Sequence, residues 1–463
     1  MLLEDEVVRE VLETAVAAGG EFAEVFVEDR RSGSASYDDG RVEELSSSRD
    51  RGAGIRVMVG ETTGFAHTAD LTVEGLAAAA RTAAAAARAG GGERRTIGLH
   101  HADVPRLVVV TDPADVPKAT KVDLLRRADA AAREAGGAIS QVSVRYSDSR
   151  RRILVANTEG HLAADEQLRT MLAVSCVASG DAGLQTGRQS VGGTCGFELF
   201  DTHDPAELAR TAAQRALTKL KARPAPTGTL PVVISAGSGG VLFHEACGHG
   251  LEADLVAKGA SVFAGRVGEK VAADGVTVVD DGTMSGEWGF VGIDDEGHLA
   301  RRNVLIEDGV LTDYLWDRRA GGRESRTSSG NGRRQSYRHL PMVRMTNTYI
   351  GGGSADPDDI VADTPRGVFI AQLGGGQVNT ASGDFVFGMT EAYLIEDGEV
   401  TEPIRDGNLI GNGPEALASI DAIAGDFSMG SPGTCGKDGQ GVPVGFGTPT
   451  LRVAGLTIGG TAA

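Results

Sequence analysis

Cysteine is scarce in this chain: there are four in 463 residues, at positions 176, 195, 247 and 435, and none forms a closely spaced pair. That excludes a small disulfide-stapled scaffold and suits a reducing compartment. No uninterrupted apolar run is long enough to cross a bilayer, since even the alanine-rich stretch near residue 80 is broken by arginines. The opening MLLEDEVVREVLETAVAAGG is acidic and amphipathic, without the basic start and continuous apolar core of a secretion signal. Excess positive charge is missing too. Lys and Arg total 45 against 64 Asp and Glu, a formal net charge of −19, which argues against binding nucleic acid or an anionic membrane surface. The expectation is a cytoplasmic protein with neither as a partner.

The chain does have length, glycine and turns. At 463 residues it exceeds one ordinary core, so two or three domains are expected. Its 41% hydrophobic and 24% charged residues suit a soluble globular protein. The 66 glycines gather in turns between short apolar runs and point to a β-rich architecture. Residues 4–18 place Val7, Val8, Val11, Leu12 and Val16 on one helical face. Short alternating segments fill 21–67, with a hairpin signal at Asp39-Gly40, and an alanine-rich helix is expected over 71–89. A similar outline follows: a helix near 120–135, alternating strands, and a helix over 204–221 that Asp204 caps, with Pro205 first and Glu207 in its first turn. The expected class is therefore α+β. Two N-terminal α/β modules (1–90 and 119–222, joined by a linker at 91–118) precede a mostly-β domain over 229–463.

Chemistry concentrates in His244-Glu245-Ala246-Cys247-Gly248-His249, two imidazoles and a carboxylate within six residues. Imidazole is a good zinc ligand, and a carboxylate beside it can take a proton from a water that the metal polarises. Zinc-peptidase helices usually space their histidines at i and i+4; here the second is at i+5. A regular helix turns about 140° over five residues, too far for two ligands of one ion. A π-bulge is the expected distortion, with Gly248 lowering its steric cost. The alternative is a buried histidine satisfied by hydrogen bonds and an exposed glutamate. Cys435, in a glycine-rich C-terminal loop, is the best third donor, with Lys437 nearby to favour its thiolate. As a small buried turn residue it would be equally unremarkable. The turn Gly237-Ser238-Gly239-Gly240 could hold phosphate but lacks the P-loop and dinucleotide signatures. Asp280-Asp281 and Asp294-Asp295-Glu296 read as turn residues with solvated charge, too few and too widely spaced for a calcium loop.

The segments HEACGHGLEADLVAKGASVFAGRVGEKVA, GFVGIDDEG, GNGRRQSYRHLPMVRMTNTYI, GGGQVNTASGDFVFGMTEAYLIEDG and CGKDGQGVPVGFGTPTLRVAGLTIGG occur in this order. Together they closely resemble the TldD/PmbA metallopeptidase family, in its TldD-type, metal-bearing branch, and the likeness runs over essentially the whole chain. It implies a C-terminal metallopeptidase domain, zinc held by His244, His249 and Cys435, and Glu245 as the catalytic carboxylate. It also implies a heterodimer with a homologous TldE/PmbA-type subunit that lacks the ligands, acting on unfolded or extended peptides in an enclosed groove. Cys247 stands where an aliphatic residue would be unremarkable and is expected to pack as one. Tyr337, Arg338 and His339 are candidates for contact with substrate, the alternative being that they pack a loop. Gly374-Gly375-Gly376 would let a substrate strand approach closely. The competing function is a non-catalytic scaffold or peptide-binding subunit, against which the complete His-Glu-His-Cys set speaks.

Overall fold

The computed structural model describes residues 2–88, 90, 92–93, 95–181 and 183–460. Positions 1, 89, 91, 94, 182 and 461–463 of the stretches read above, two of them in the expected linker, lie outside the described residues. The chain is α+β and β-rich, as its glycine-punctuated alternation implies. Helix α1 (Asp5–Ala17) buries Val8, Val11, Leu12 and Val16. Strands β1 (Phe22–Asp38) and β2 (Arg41–Val59) form a long hairpin. Its turn is Asp39-Gly40, both with positive φ, the conformation that Asp-Gly turns supply. β3 (Thr62–Thr68) and α2 (Val73–Ala86) complete this unit.

The second unit contains α3 (Lys118–Glu134), β4 (Ile139–Asn157), β5 (His161–Gly180), β6 (Gly183–Gly193) and α4 (Pro205–Lys221). Asp204 caps α4, its carboxylate accepting from the Ala206 N–H at 3.1 Å. β1 pairs antiparallel with β4, so both units contribute to one sheet in the order β3-β2-β1-β4-β5-β6. Side chains alternate across a sheet. Val25, Val27 and Ala35 of β1 face the helices, in two cores under α1–α2 and α3–α4. Glu24, Phe26 and Glu28 face the other way, where Phe26 packs with Ile293 and Tyr337 of the C-terminal domain.

In the C-terminal domain β7 (Gly228–Ile234) leads into α5 (Gly240–Ala246). There follow β8 (Asn347–Ile350), β9 (Arg366–Val378), β10 (Asp384–Glu396) and β11 (Gly407–Asn412). The last three strands are β12 (Gly433–Lys437), β13 (Gln440–Thr448) and β14 (Leu451–Gly460). Pairing runs β9-β7-β14-β11-β10 and returns from β10 to β9, a closed ring in which β7 meets β9 only over Val368–Ile370. A second sheet contains β8, β13 and, hairpinned to β13, β12. Helix α5 lies between the two, against β9 on one side and β8 and β13 on the other.

The acidic clusters are not solvated. Asp280, Asp281, Asp294, Asp295 and Glu296 are all buried. Asp280 accepts from the Thr346 N–H and hydroxyl, the Thr348 hydroxyl and the Asn331 amide. Asp295 pairs with Arg151, and Glu296 with Arg56, both at 2.8 Å across to the N-terminal sheet. Asp281 and Asp294 do close local turns, accepting from Thr283 and from the Glu296 and His298 N–H groups, but the partners of Asp280, Asp295 and Glu296 lie far away in sequence, so adjacent acids beside glycine gave no local sign of burial.

Candidate metal centre

The local backbone explains how two histidines five residues apart face one point. α5 stops at Ala246, Cys247 leaves helical geometry at φ −125° and ψ −47°, and a 3₁₀ turn runs from Gly248 to Leu251. The expected π-bulge is thus replaced by a break and a tighter turn, which bring His249 back toward His244. Gly248 fits because the Met345 sulfur lies where a Cβ would be. Gly240 likewise lets α5 rest directly on the β13 backbone at Phe446-Gly447.

Each imidazole then meets Cys435, delivered by β12. The ligand atoms of His244, His249 and Cys435 lie within 4.8 Å of one another, and all three residues are buried. The His249 and His244 rings are 5.3 Å apart at 78°. His249 Nε2 is 3.2 Å from Cys435 Sγ, against roughly 3.6 Å for two ligands of a tetrahedral zinc with bonds of about 2.1 and 2.3 Å. Both ring nitrogens of His244 are buried with no hydrogen-bond partner, a state that costs about 1–3 kcal/mol per group in a native core. A cation at this point would take up one of the two. Two imidazoles and a thiol are also the donor chemistry that zinc favours. Burial by itself would push the Cys435 thiol up, but His244 and His249 beside it prevail and bring it down to about 4.

Glu245 stands apart from this trio. Its side chain keeps 29% exposure, and its carboxylate is 3.8 Å from His249 Nε2. It therefore lies beside the cluster with room to meet a second molecule. Glu252 was not singled out in the sequence, yet it is fully buried and accepts from His249 Nδ1 at 2.9 Å. Lys437 binds the same Glu252 oxygen at 2.9 Å, with Asp254 at 2.7 Å and the Val343 carbonyl at 3.0 Å. Burial would raise the Glu252 carboxyl; His249 and Lys437 outweigh it and hold it at about 2. Lys437 therefore acts on Glu252 rather than directly on the thiol. The available signal was the His-x-x-Glu spacing of 249 and 252.

Cys247 packs in the core with no exposure, and burial pushes its thiol up. Tyr337 and Arg338 turn to the N-terminal sheet. The Tyr337 hydroxyl donates to Asp50 at 3.2 Å, and Arg338 pairs with the same carboxylate at 2.9 Å. His339 Nδ1 is 2.9 Å from the Ser336 hydroxyl. Their loop abuts the Cys435 hairpin, where the Gln335 N–H donates to the Gln440 side chain at 3.0 Å. A cleft of about 730 Å³ borders the start of α5; Gly237, Ser238, Val241, Gly374, Gly375 and Phe446 are among its walls. Phe446 is 6.1 Å from the His244 ring, so this cleft reaches the neighbourhood of the cluster.

Residues 23–87, 111–220 and 227–460 match, in turn, the PmbA/TldA metallopeptidase domain 1, central domain and C-terminal domain. The chain is 38% identical over 450 residues to a protein named metalloprotease TldD homolog from Haemophilus influenzae, covering 95% of this chain and 93% of that one. It is 37% identical over 443 residues to a metalloprotease of Methanothermobacter thermautotrophicus, covering 95% and 96%. A protein named zinc metalloprotease TldD homolog from Saccharolobus solfataricus is 32% identical over 263 residues, 57% of this chain and 58% of that one. Among solved structures, TldE from Thermococcus kodakarensis superposes with a TM-score of 0.78 at 20% identity, covering 98% of this chain and all of that one. A Thermotoga maritima crystal structure does so with a TM-score of 0.82, also at 20% identity and with the same coverage.

Proposed function

This chain belongs to the PmbA/TldA metallopeptidase family and is a metalloprotease; from that premise we propose that it is a zinc-dependent peptidase acting on unfolded or flexible peptides. His244, His249 and Cys435 hold the zinc, and Glu245 is the general base. The observation that carries this reading is the convergence of three buried ligand residues, with both His244 nitrogens unsatisfied, next to a partly exposed carboxylate. Zinc bound there would serve as a Lewis acid toward water and the scissile carbonyl. Glu245 accepts a proton from the attacking water and returns it to the leaving amine. Glu252 fixes the His249 tautomer by accepting from Nδ1 and so leaves Nε2 free to ligate. Lys437 balances the buried Glu252 charge.

The cleft beside α5 has open backbone at Gly375, where nothing would meet a Cβ. An extended substrate can pair there through its main chain, which suits broad specificity. The fold shared with TldE supports pairing with a homologous subunit that lacks the ligands. The chain contains no helix long and apolar enough to cross a membrane among its described residues, and the cytoplasm is its proposed location. A non-catalytic scaffold is disfavoured by the complete ligand set.

The test combines metal analysis with one substitution. The purified protein should hold close to one zinc per chain, and Cys435→Ala should lose most of it. Glu245→Gln should keep the zinc while peptidase activity, measured with the partner subunit present, falls on the order of 10²–10⁴-fold. Near-normal activity in Glu245→Gln would refute the general-base role, and full zinc in Cys435→Ala would refute the ligand set.

A further inference from the structure

A cavity of about 340 Å³ lies between the N-terminal sheet and β13. Five arginines line it: Arg30, Arg151, Arg169, Arg333 and Arg334. Only two carboxylates do, Asp148 and Asp295, and both are engaged. Asp148 pairs with Lys121 at 2.9 Å, and Asp295 with Arg151 at 2.8 Å. Arg169 is buried, and its hydrogen bonds go to the Trp288 and Phe290 carbonyls and the Gln167 amide oxygen. Buried Arg333 bonds to the Met345 and Pro443 carbonyls. Neither has a carboxylate partner among the described residues. Arg30 and Arg151 pair with buried Glu28, and Arg334 with buried Glu24, so Arg169 and Arg333 are the lining cations left without an ion pair, and burying a guanidinium that way is costly. Burial and neighbouring arginines pull Arg169 down to about 9 and Arg333 down to about 10.

The remaining walls are of two kinds. Serines from β1, β2 and β4 offer hydroxyls, Met171 lies beside Ser147 in the same sheet, and Trp288, Val442 and Pro443 of the C-terminal domain add further apolar surface. Val442 is the register partner of Cys435, so the cavity stands one strand away from the ligand-bearing residue. Guanidinium forks bind carboxylates in a planar, two-bond geometry, and the apolar wall gives room for a side chain next to that carboxylate.

We propose that this cavity binds a carboxylate, and that the group it takes is the free C-terminal carboxylate of a peptide whose last side chain rests on Met171, Trp288, Val442 and Pro443. The carboxylate chemistry follows from the cavity alone; assigning it to a peptide end rests on the peptidase function proposed above. Occupancy places the end of a substrate or product chain against the hairpin that supplies Cys435.

Calorimetry on the zinc-loaded full chain tests this with three small probes: N-acetyl-leucine, N-acetyl-leucinamide, and an aspartate blocked at both ends so that only its side-chain carboxylate is free. N-acetyl-leucine should bind at least about 10-fold more tightly than its amide, the scale of one charge-assisted hydrogen bond. Arg30→Ala, at a half-exposed position of the rim, should lower that affinity by a similar factor. Ser46→Glu, on an exposed strand position lining the cavity, introduces a resident carboxylate and should abolish binding while the fold is retained. Equal affinity for acid and amide overturns the proposal, as does unchanged binding in Ser46→Glu. Blocked aspartate binding as tightly as N-acetyl-leucine overturns the assignment to a chain terminus. These readouts do not need catalysis. Carboxylate binding in a protein that cleaves no peptide would sink the proposed function and leave this site standing, whereas cleavage without any carboxylate binding would do the reverse.

Discussion

At the residue scale the centre is a chain of contacts, Cys435 to His249 to Glu252 to Lys437, each within 3.2 Å. A carboxylate behind a ligating histidine sets its tautomer and raises its basicity, and losing such a group typically weakens metal binding about 10–100-fold. Glu252→Gln should therefore fold and still bind zinc, with affinity reduced by about that factor in competition with a chelator. Unchanged affinity would reduce Glu252 to a packing role. The contrast with Glu245→Gln is diagnostic: one variant loses metal affinity, the other only catalysis. The meeting of His244 and His249 was legible because they are local in sequence, whereas Cys435, read alone as a small buried turn residue, joined them through the family resemblance. Glu252 was not legible. Its role is set by a 3₁₀ turn and by a lysine 185 residues away.

At the element scale, the spacing of the histidines demanded a distortion, but not a particular one. Periodicity shows where a helix should run, whereas the choice between widening it and breaking it depends on what packs against it. Here Met345 presses on Gly248, and the helix ends instead. Gly248→Ala should force the Met345 side chain aside, cost about 1–3 kcal/mol as overpacking does, and move His249 enough to reduce zinc content. Adding Met345→Ala should restore part of both, measured as thermal midpoint and metal per chain. A Gly248→Ala protein with normal stability and full zinc would show that the close approach does not set the turn. The Asp39-Gly40 hairpin and the Asp204-Pro205 helix start were readable in advance because each is decided within a few residues. The closed ring of β7, β9, β10, β11 and β14 was not, since its pairings join strands up to more than two hundred residues apart.

At the scale of the whole molecule, the buried acids misread as solvated form part of the seam between the N-terminal sheet and the C-terminal domain. Glu24 on β1, 1% exposed, binds Arg56 of the same sheet at 2.6 Å and Arg334 of the C-terminal domain at 2.5 Å. Burial would raise its carboxyl, but the two arginines outweigh that and hold it below the usual range. Arg56 continues to Glu296 at 2.8 Å, while Glu24 is the one carboxylate paired with Arg334 among the described residues. Removing one member of a buried ionic network leaves its partner desolvated and uncompensated, typically at about 3–5 kcal/mol. Glu24→Ala should therefore lower stability by about that amount in denaturant titrations. Combining it with Arg334→Met should recover a substantial part, because the stranded charge is then gone. Since the network spans both halves, unfolding should remain one transition by fluorescence and by circular dichroism. A loss below about 1 kcal/mol, or two separate transitions in the unmodified protein, would mean that the seam does not couple the two halves.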